Sequence, residues 1–103
     1  MNARPALSKS EHTIVIDIMR AHLPEGVTVH VFGSRASGKI KPWSDLDLVL
    51  EAAAPLPLAL TAAIAEAFEE SDLPWKVDLV DRKAVSDGFG KLIDQAKVPL
   101  ITD

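Results

Sequence analysis

The feature that most constrains this chain is residues 32–50, Phe-Gly-Ser-Arg-Ala-Ser-Gly-Lys-Ile-Lys-Pro-Trp-Ser-Asp-Leu-Asp-Leu-Val-Leu. A short apolar run, residues 27–32, leads into a turn of small residues. A second apolar run follows, in which Asp45 and Asp47 alternate with leucines. The first run predicts a buried strand that stops at Gly33, where the missing Cβ allows a backbone path and a close ligand approach denied to other residues. Ser34-Arg35-Ala36 predicts a short helix, with free N–H groups and a positive dipole end above the turn. Such a place suits phosphate. On the second strand Asp45 and Asp47 are expected to project from one face, and Leu46, Leu48 and Leu50 from the other into a core. Neighbouring carboxylates repel each other, and a divalent cation resolves the repulsion. A phosphate cradle followed by a metal-binding pair points to nucleotide chemistry.

The flanking sequence supplies elements on which such a site can sit. Ser8-Lys9-Ser10-Glu11 has the form of a capping box and leads a helix with Ile14, Val15, Ile18 and Met19 in one stripe, ended by Pro24-Glu25-Gly26. On strand one Val27, Val29 and Val31 share a face opposite Thr28, His30 and Phe32. Strand two covers residues 46–51. Pro55-Leu56-Pro57 opens an alanine-rich helix reaching about residue 70, and strand three spans residues 75–80. Asp81 has the wrong strand parity for the site and is expected to serve a turn or cap, and Glu51 to sit on a solvated rim. Ser86 is positioned to cap a last helix to about residue 96, and residues 98–101 predict a short edge strand that tolerates Pro99. Alternating helices and strands imply an α/β (α+β) fold, a mixed sheet with helices packed on it, forming one domain over residues 1–103.

Composition excludes several classes. Without cysteine there is no disulfide, thiolate nucleophile or thiolate zinc site, which fits a reducing cytoplasm. His12, His22 and His30 share no ligand spacing. No apolar stretch is long enough for a membrane span or a signal core, and no membrane association is expected. A net charge of −4 argues against direct nucleic-acid binding, which depends on neutralising phosphates.

Gly33-Ser34, ten further residues, then Asp45-x-Asp47 resembles the defining motif of the nucleotidyltransferase fold, the DNA polymerase β-like superfamily. The short form Gly-Ser-Arg-Ala resembles the minimal nucleotidyltransferase (MNT) antitoxins that accompany HEPN toxins in prokaryotes. The resemblance covers about residues 27–80. It implies a third carboxylate on a later strand, a place that Asp78 fits. It also implies transfer of AMP from ATP by two Mg²⁺ ions held on Asp45, Asp47 and Asp78, with Gly33 and Ser34 on the β- and γ-phosphates. Arg35 is expected to pair with triphosphate oxygens, or alternatively with one of the aspartates. Many members carry a second basic residue where Ser37 stands, so Lys39 or Lys41 could take that part. Trp43 is expected to anchor the loop by packing under it, with stacking on the nucleotide base as the alternative. The implied acceptor is a tyrosine of a HEPN ribonuclease toxin, which would complete a site left shallow by the lack of a second domain. A contact-only antitoxin and a transferase acting on a small-molecule hydroxyl are the two other readings.

Overall fold

The computed structural model describes residues 5–100. The chain runs α1 (Lys9–His22), β1 (Thr28–Phe32), α2 (Ser34–Ser37), β2 (Leu46–Glu51), α3 (Leu58–Glu69), β3 (Val77–Asp81), α4 (Asp87–Ala96) and β4 (Val98–Pro99). Four strands form one mixed sheet in the order β3-β2-β1-β4. β1 lies antiparallel to β2 and to β4, whereas β2 and β3 are parallel, as a strand–helix–strand crossover through α3 requires. The mixed sheet expected from the sequence is therefore present.

Local chemistry sets the helix ends. The Ser8 side chain accepts from the Glu11 N–H at 3.1 Å, while Glu11 Oε1 accepts from the Ser8 N–H at 2.9 Å, the reciprocal capping box. Losing such a cap costs about 0.5–2 kcal/mol. Ser86 likewise accepts from the Phe89 N–H and starts α4. Val98 and Pro99 form the edge strand on β1, and Ile101, which the expected strand included, lies outside the described residues. β3 begins at Val77 instead of residue 75, because its parallel pairing opens opposite Leu46 and Trp75 turns into the interior.

The two faces of the sheet differ. Leu46, Leu48 and Leu50 are fully buried with Val15, Met19, Ile64 and Phe68 from α1 and α3, forming the main core. Burying each leucine is worth up to roughly 1.5–3 kcal/mol. α4 lies against the opposite face. Its Phe89 meets Phe32 edge-to-face at 6.1 Å, and Lys97, the residue after it, bonds Glu51. Only part of that face is covered. The rest carries the polar residues of the motif.

Candidate active site

Register places the carboxylates. In β-pairing Asp47 lies opposite Phe32 on β1 and beside Asp78 on β3, so Phe32, Asp47 and Asp78 form one row across three strands. Asp47 thus has a carboxylate neighbour on the next strand, at the place the family resemblance implied for a third carboxylate. Asp45 is placed slightly differently from the expectation. β2 starts at Leu46, whose N–H bonds the Lys76 carbonyl, and Asp45 stands exposed on the approach to the strand. It still faces Asp47 closely enough to act on it. Burial pushes the Asp47 carboxyl above its ordinary 3.8, and the charges of Asp78 and Asp45 push it further. Among the described residues Asp78 pairs with Lys76, whose Nζ lies at 3.8 Å, but both side chains are well exposed and the pairing is weak.

The turn beside this row is built for close approach. Gly33 has φ 73° and ψ −152°, a region essentially reserved for glycine. A Cβ there would collide with Asp47 Oδ2, so the turn and the carboxylate are packed on each other. Gly33 also accepts from the Ala36 and Ser37 N–H groups and opens α2, as the sequence predicted, while Gly38 closes it with φ 82°. Gly33, Ser34, Asp45, Asp47 and Asp78 therefore come to one end of one sheet face.

Arg35 does not join them. It is buried at 3% exposure, and its guanidinium donates to the carbonyls of Ser44 and Ala6 while lying over the Trp75 ring. Neither a phosphate-facing position nor a salt bridge to an aspartate is what the structure shows. An arginine in a short helix can point to solvent or fold beneath it, and here two backbone carbonyls, taking three hydrogen bonds, and an aromatic face lie beneath. Trp43 corrects the expectation in the opposite sense: it is 71% exposed, near Lys41, and does not pack under the loop. Lys39 and Lys41 are solvent-exposed. Asp81 accepts from the Leu56 and Lys83 N–H groups, the capping part expected of it. Glu51 is more engaged than a solvated rim: Lys97 bonds it at 2.8 Å. Reasoning from sequence missed Ser44 and Trp75. The pattern of an aromatic three residues before Asp78 was visible, but nothing marked it as a seat for Arg35.

The donor set is all carboxylate oxygen, which suits a hard divalent cation. Among the described residues no three Asp, Glu, His or Cys side chains converge as a ready-made metal cage. Mg²⁺ is commonly held without one, by one or two carboxylates together with water and substrate phosphate. The raised Asp47 carboxyl and its like-charged neighbours match that use, since a cation would relieve what now opposes ionisation. The residues present fit Mg²⁺.

Comparison with known proteins gives this geometry a context. Residues 13–101 match the nucleotidyltransferase domain family. The chain is 41% identical over 90 residues to the "Probable protein adenylyltransferase MntA" of Haemophilus influenzae, covering 87% of this chain and 79% of that protein. Among solved structures, it superposes on a toxin–antitoxin structure with AMP-PNP at a TM-score of 0.73 and 25% identity, covering 89% of this chain and 73% of that one. A structure assigned as a minimal nucleotidyltransferase gives a TM-score of 0.67 at 26% identity, covering 88% and 90%. A match over nearly the whole described chain, on a fold that brings the glycine–serine turn to the aspartates, leaves one conclusion: this chain belongs to the nucleotidyltransferase domain family.

Proposed function

We propose that this protein transfers AMP from ATP to a tyrosine hydroxyl of a partner HEPN-type toxin in the cytoplasm, and so acts as its antitoxin. The observation that carries this reading is the row of like-charged carboxylates packed against the Gly33 turn. Such a cluster disfavours the isolated fold and is useful only when a cation and phosphates arrive. The relative named as a protein adenylyltransferase and the toxin–antitoxin structure with AMP-PNP support an adenylyl donor, a protein acceptor and a toxin partner. Among the described residues no helix is long and apolar enough to cross a membrane.

Each residue then has a part. Asp45 and Asp47 would hold Mg²⁺, as two ions, with Asp78 completing the ligand set. Bound there, Mg²⁺ neutralises triphosphate charge and lowers the pKa of the acceptor hydroxyl. Gly33 presents its backbone, and Ser34 its N–H and hydroxyl, to the β- and γ-phosphates. Asp47, held against Gly33, fixes the triphosphate next to the carboxylates. The acceptor oxygen forms a bond to the α-phosphorus while the bond from that phosphorus to the β-phosphate oxygen breaks. Pyrophosphate leaves, and the phenolic proton passes to the half-exposed Asp78 carboxylate. A phenol, with a reference pKa of about 10, needs less activation than an aliphatic alcohol.

The chain contains no tyrosine, so the label cannot fall on itself at that residue type. Intact-mass spectrometry of this protein and its toxin partner, after incubation with ATP and Mg²⁺, tests the proposal. Gains of whole AMP units should appear on the partner, at tyrosine, and vanish with Asp45→Asn. A partner left unmodified yet inhibited at equimolar ratio would replace this reading with a contact-only antitoxin.

A further inference from the structure

The candidate site is assembled from segments distant in sequence, and one buried side chain touches all of them. Arg35 sits two residues after Gly33. Its Nε and Nη2 both donate to the Ser44 carbonyl, at 3.1 and 2.8 Å, and Ser44 immediately precedes Asp45. Its Cζ lies 4.0 Å from the ring centroid of Trp75, which stands three residues before Asp78. Its Nη1 donates to the Ala6 carbonyl at 2.7 Å, and the Ala6 N–H returns a bond to the Arg35 carbonyl at 2.8 Å, tying down the segment ahead of α1. Among the described residues, the hydrogen-bond partners of this guanidinium are carbonyl oxygens. A buried cation is costly unless its donors are satisfied, so the arrangement holds each of these segments to a defined place.

We propose that Arg35 is a positioning residue for the metal-binding carboxylates: it fixes Asp45, through Ser44, relative to the Gly33 turn and to the strand bearing Asp78. This rests on the reading that those aspartates hold Mg²⁺. Asp45 needs such help because it stands outside the ladder of β2, whereas Asp47 is fixed by pairing on both sides. The planar fork is what the site uses. A lysine ammonium could reach one carbonyl but could not chelate Ser44, bond Ala6 and stack on Trp75 together.

The test separates metal binding from nucleotide binding, using Arg35→Lys and Arg35→Met. Mn²⁺ affinity is read from the loss of the free-ion electron paramagnetic resonance signal, and AMP-PNP affinity is read by calorimetry in EDTA. Variants that displace a residue supporting a metal ligand typically weaken binding about 10- to 100-fold. Mn²⁺ affinity should fall by that order in both variants, with metal-free AMP-PNP affinity unchanged. A fall in metal-free AMP-PNP affinity with Mn²⁺ binding retained would make Arg35 a phosphate ligand and overturn the inference. So would unchanged Mn²⁺ affinity in a folded variant. If neither variant folds, Trp75→Leu keeps the carbonyl bonds and removes the stacking surface. It should weaken Mn²⁺ binding alone, and unchanged affinity there refutes the proposal. Wild-type protein that binds no Mn²⁺ would fail the metal reading first, and this inference with it.

Discussion

Asp47 and Glu51 sit on the same face of β2, roughly 13 Å apart at about 3.3 Å per residue, and their surroundings are opposite. Around Glu51 the charges are matched. Lys97 bonds Glu51 and also Asp94, Arg82 grips Asp94 through Nε and Nη2, and His30 Nδ1 lies 3.3 Å from Glu51 without the alignment of a hydrogen bond. Around Asp47 they are not: its ionisable neighbours are Asp78 and Asp45, and its carboxyl is raised. The matched end holds α4 on the sheet, with Arg82 packed so closely on Gly90 that a Cβ there would collide with it. The unmatched end contributes nothing comparable to the fold. One strand face therefore carries a structural ion network at one end and, at the other, a cluster that makes sense once a cation is bound.

That contrast predicts which changes cost function and which cost stability. The largest effect should come from Asp47→Asn. If Asp47 ligates the metal directly, AMP transfer should fall by more than the roughly 100-fold typical of outer-shell changes. Near-wild-type turnover in a discontinuous assay with labelled ATP would remove Asp47 from the metal site.

Gly33→Val ranks next and acts on both properties. The valine would sit in a backbone region costing about 1–3 kcal/mol for a side-chain-bearing residue, and its Cβ would strike the Asp47 carboxylate. We expect a lower melting temperature together with lost AMP-PNP binding by calorimetry. A variant that binds the analogue normally would reduce the turn to a structural bend.

Asp94→Asn, at the matched end, should be the mildest and should leave transfer intact. The hydrogen bond from Arg82, followed by that from Lys97, holds the Asp94 carboxyl down to about 2, from an ordinary 3.8. A depressed carboxyl stabilises the fold fully above its unfolded value and loses that contribution as pH falls from 3.8 towards 2. Melting curves of the variant should therefore lie slightly below wild type at neutral pH and converge with it in acid. A pH-independent gap would mean that Asp94 stabilises by packing instead of charge.

Sequence alone made the local parts of this account legible. The Ser8 and Ser86 caps, the bounds of β2 and the inward leucines follow from periodicity and hydrogen-bonding residue types, which act within a few positions. The row of Asp47 and Asp78 was expected only through the family resemblance, because strand parity fixes a residue's face but not which strands pair or in what register. Arg35 was not legible, since its partners are the carbonyls of Ala6 and Ser44, and a carbonyl leaves no mark on residue type. Trp43 was misread for a related reason: an indole is apolar enough to be expected inside, and only the course of the loop decides. The ion network of Glu51, Arg82, Asp94 and Lys97 joins residues up to 46 positions apart, beyond any local pattern.

The claim that the unmatched end is a cation site is tested most directly by thermal melts of wild type and Asp47→Asn from the ordinary carboxyl value of 3.8 up to neutral pH, in EDTA and with Mn²⁺. With its carboxyl raised above 3.8, folded Asp47 binds more protons than the unfolded chain in the window above that value, so its ionisation lowers stability as pH rises. In EDTA the asparagine variant should melt above wild type, and the gap should grow with pH until Asp47 is fully ionised. With Mn²⁺ the order should reverse, because only wild type gains the stabilisation of a ligand that binds the folded state. Mn²⁺ shifts of equal size in both proteins, or in neither, would contradict the account.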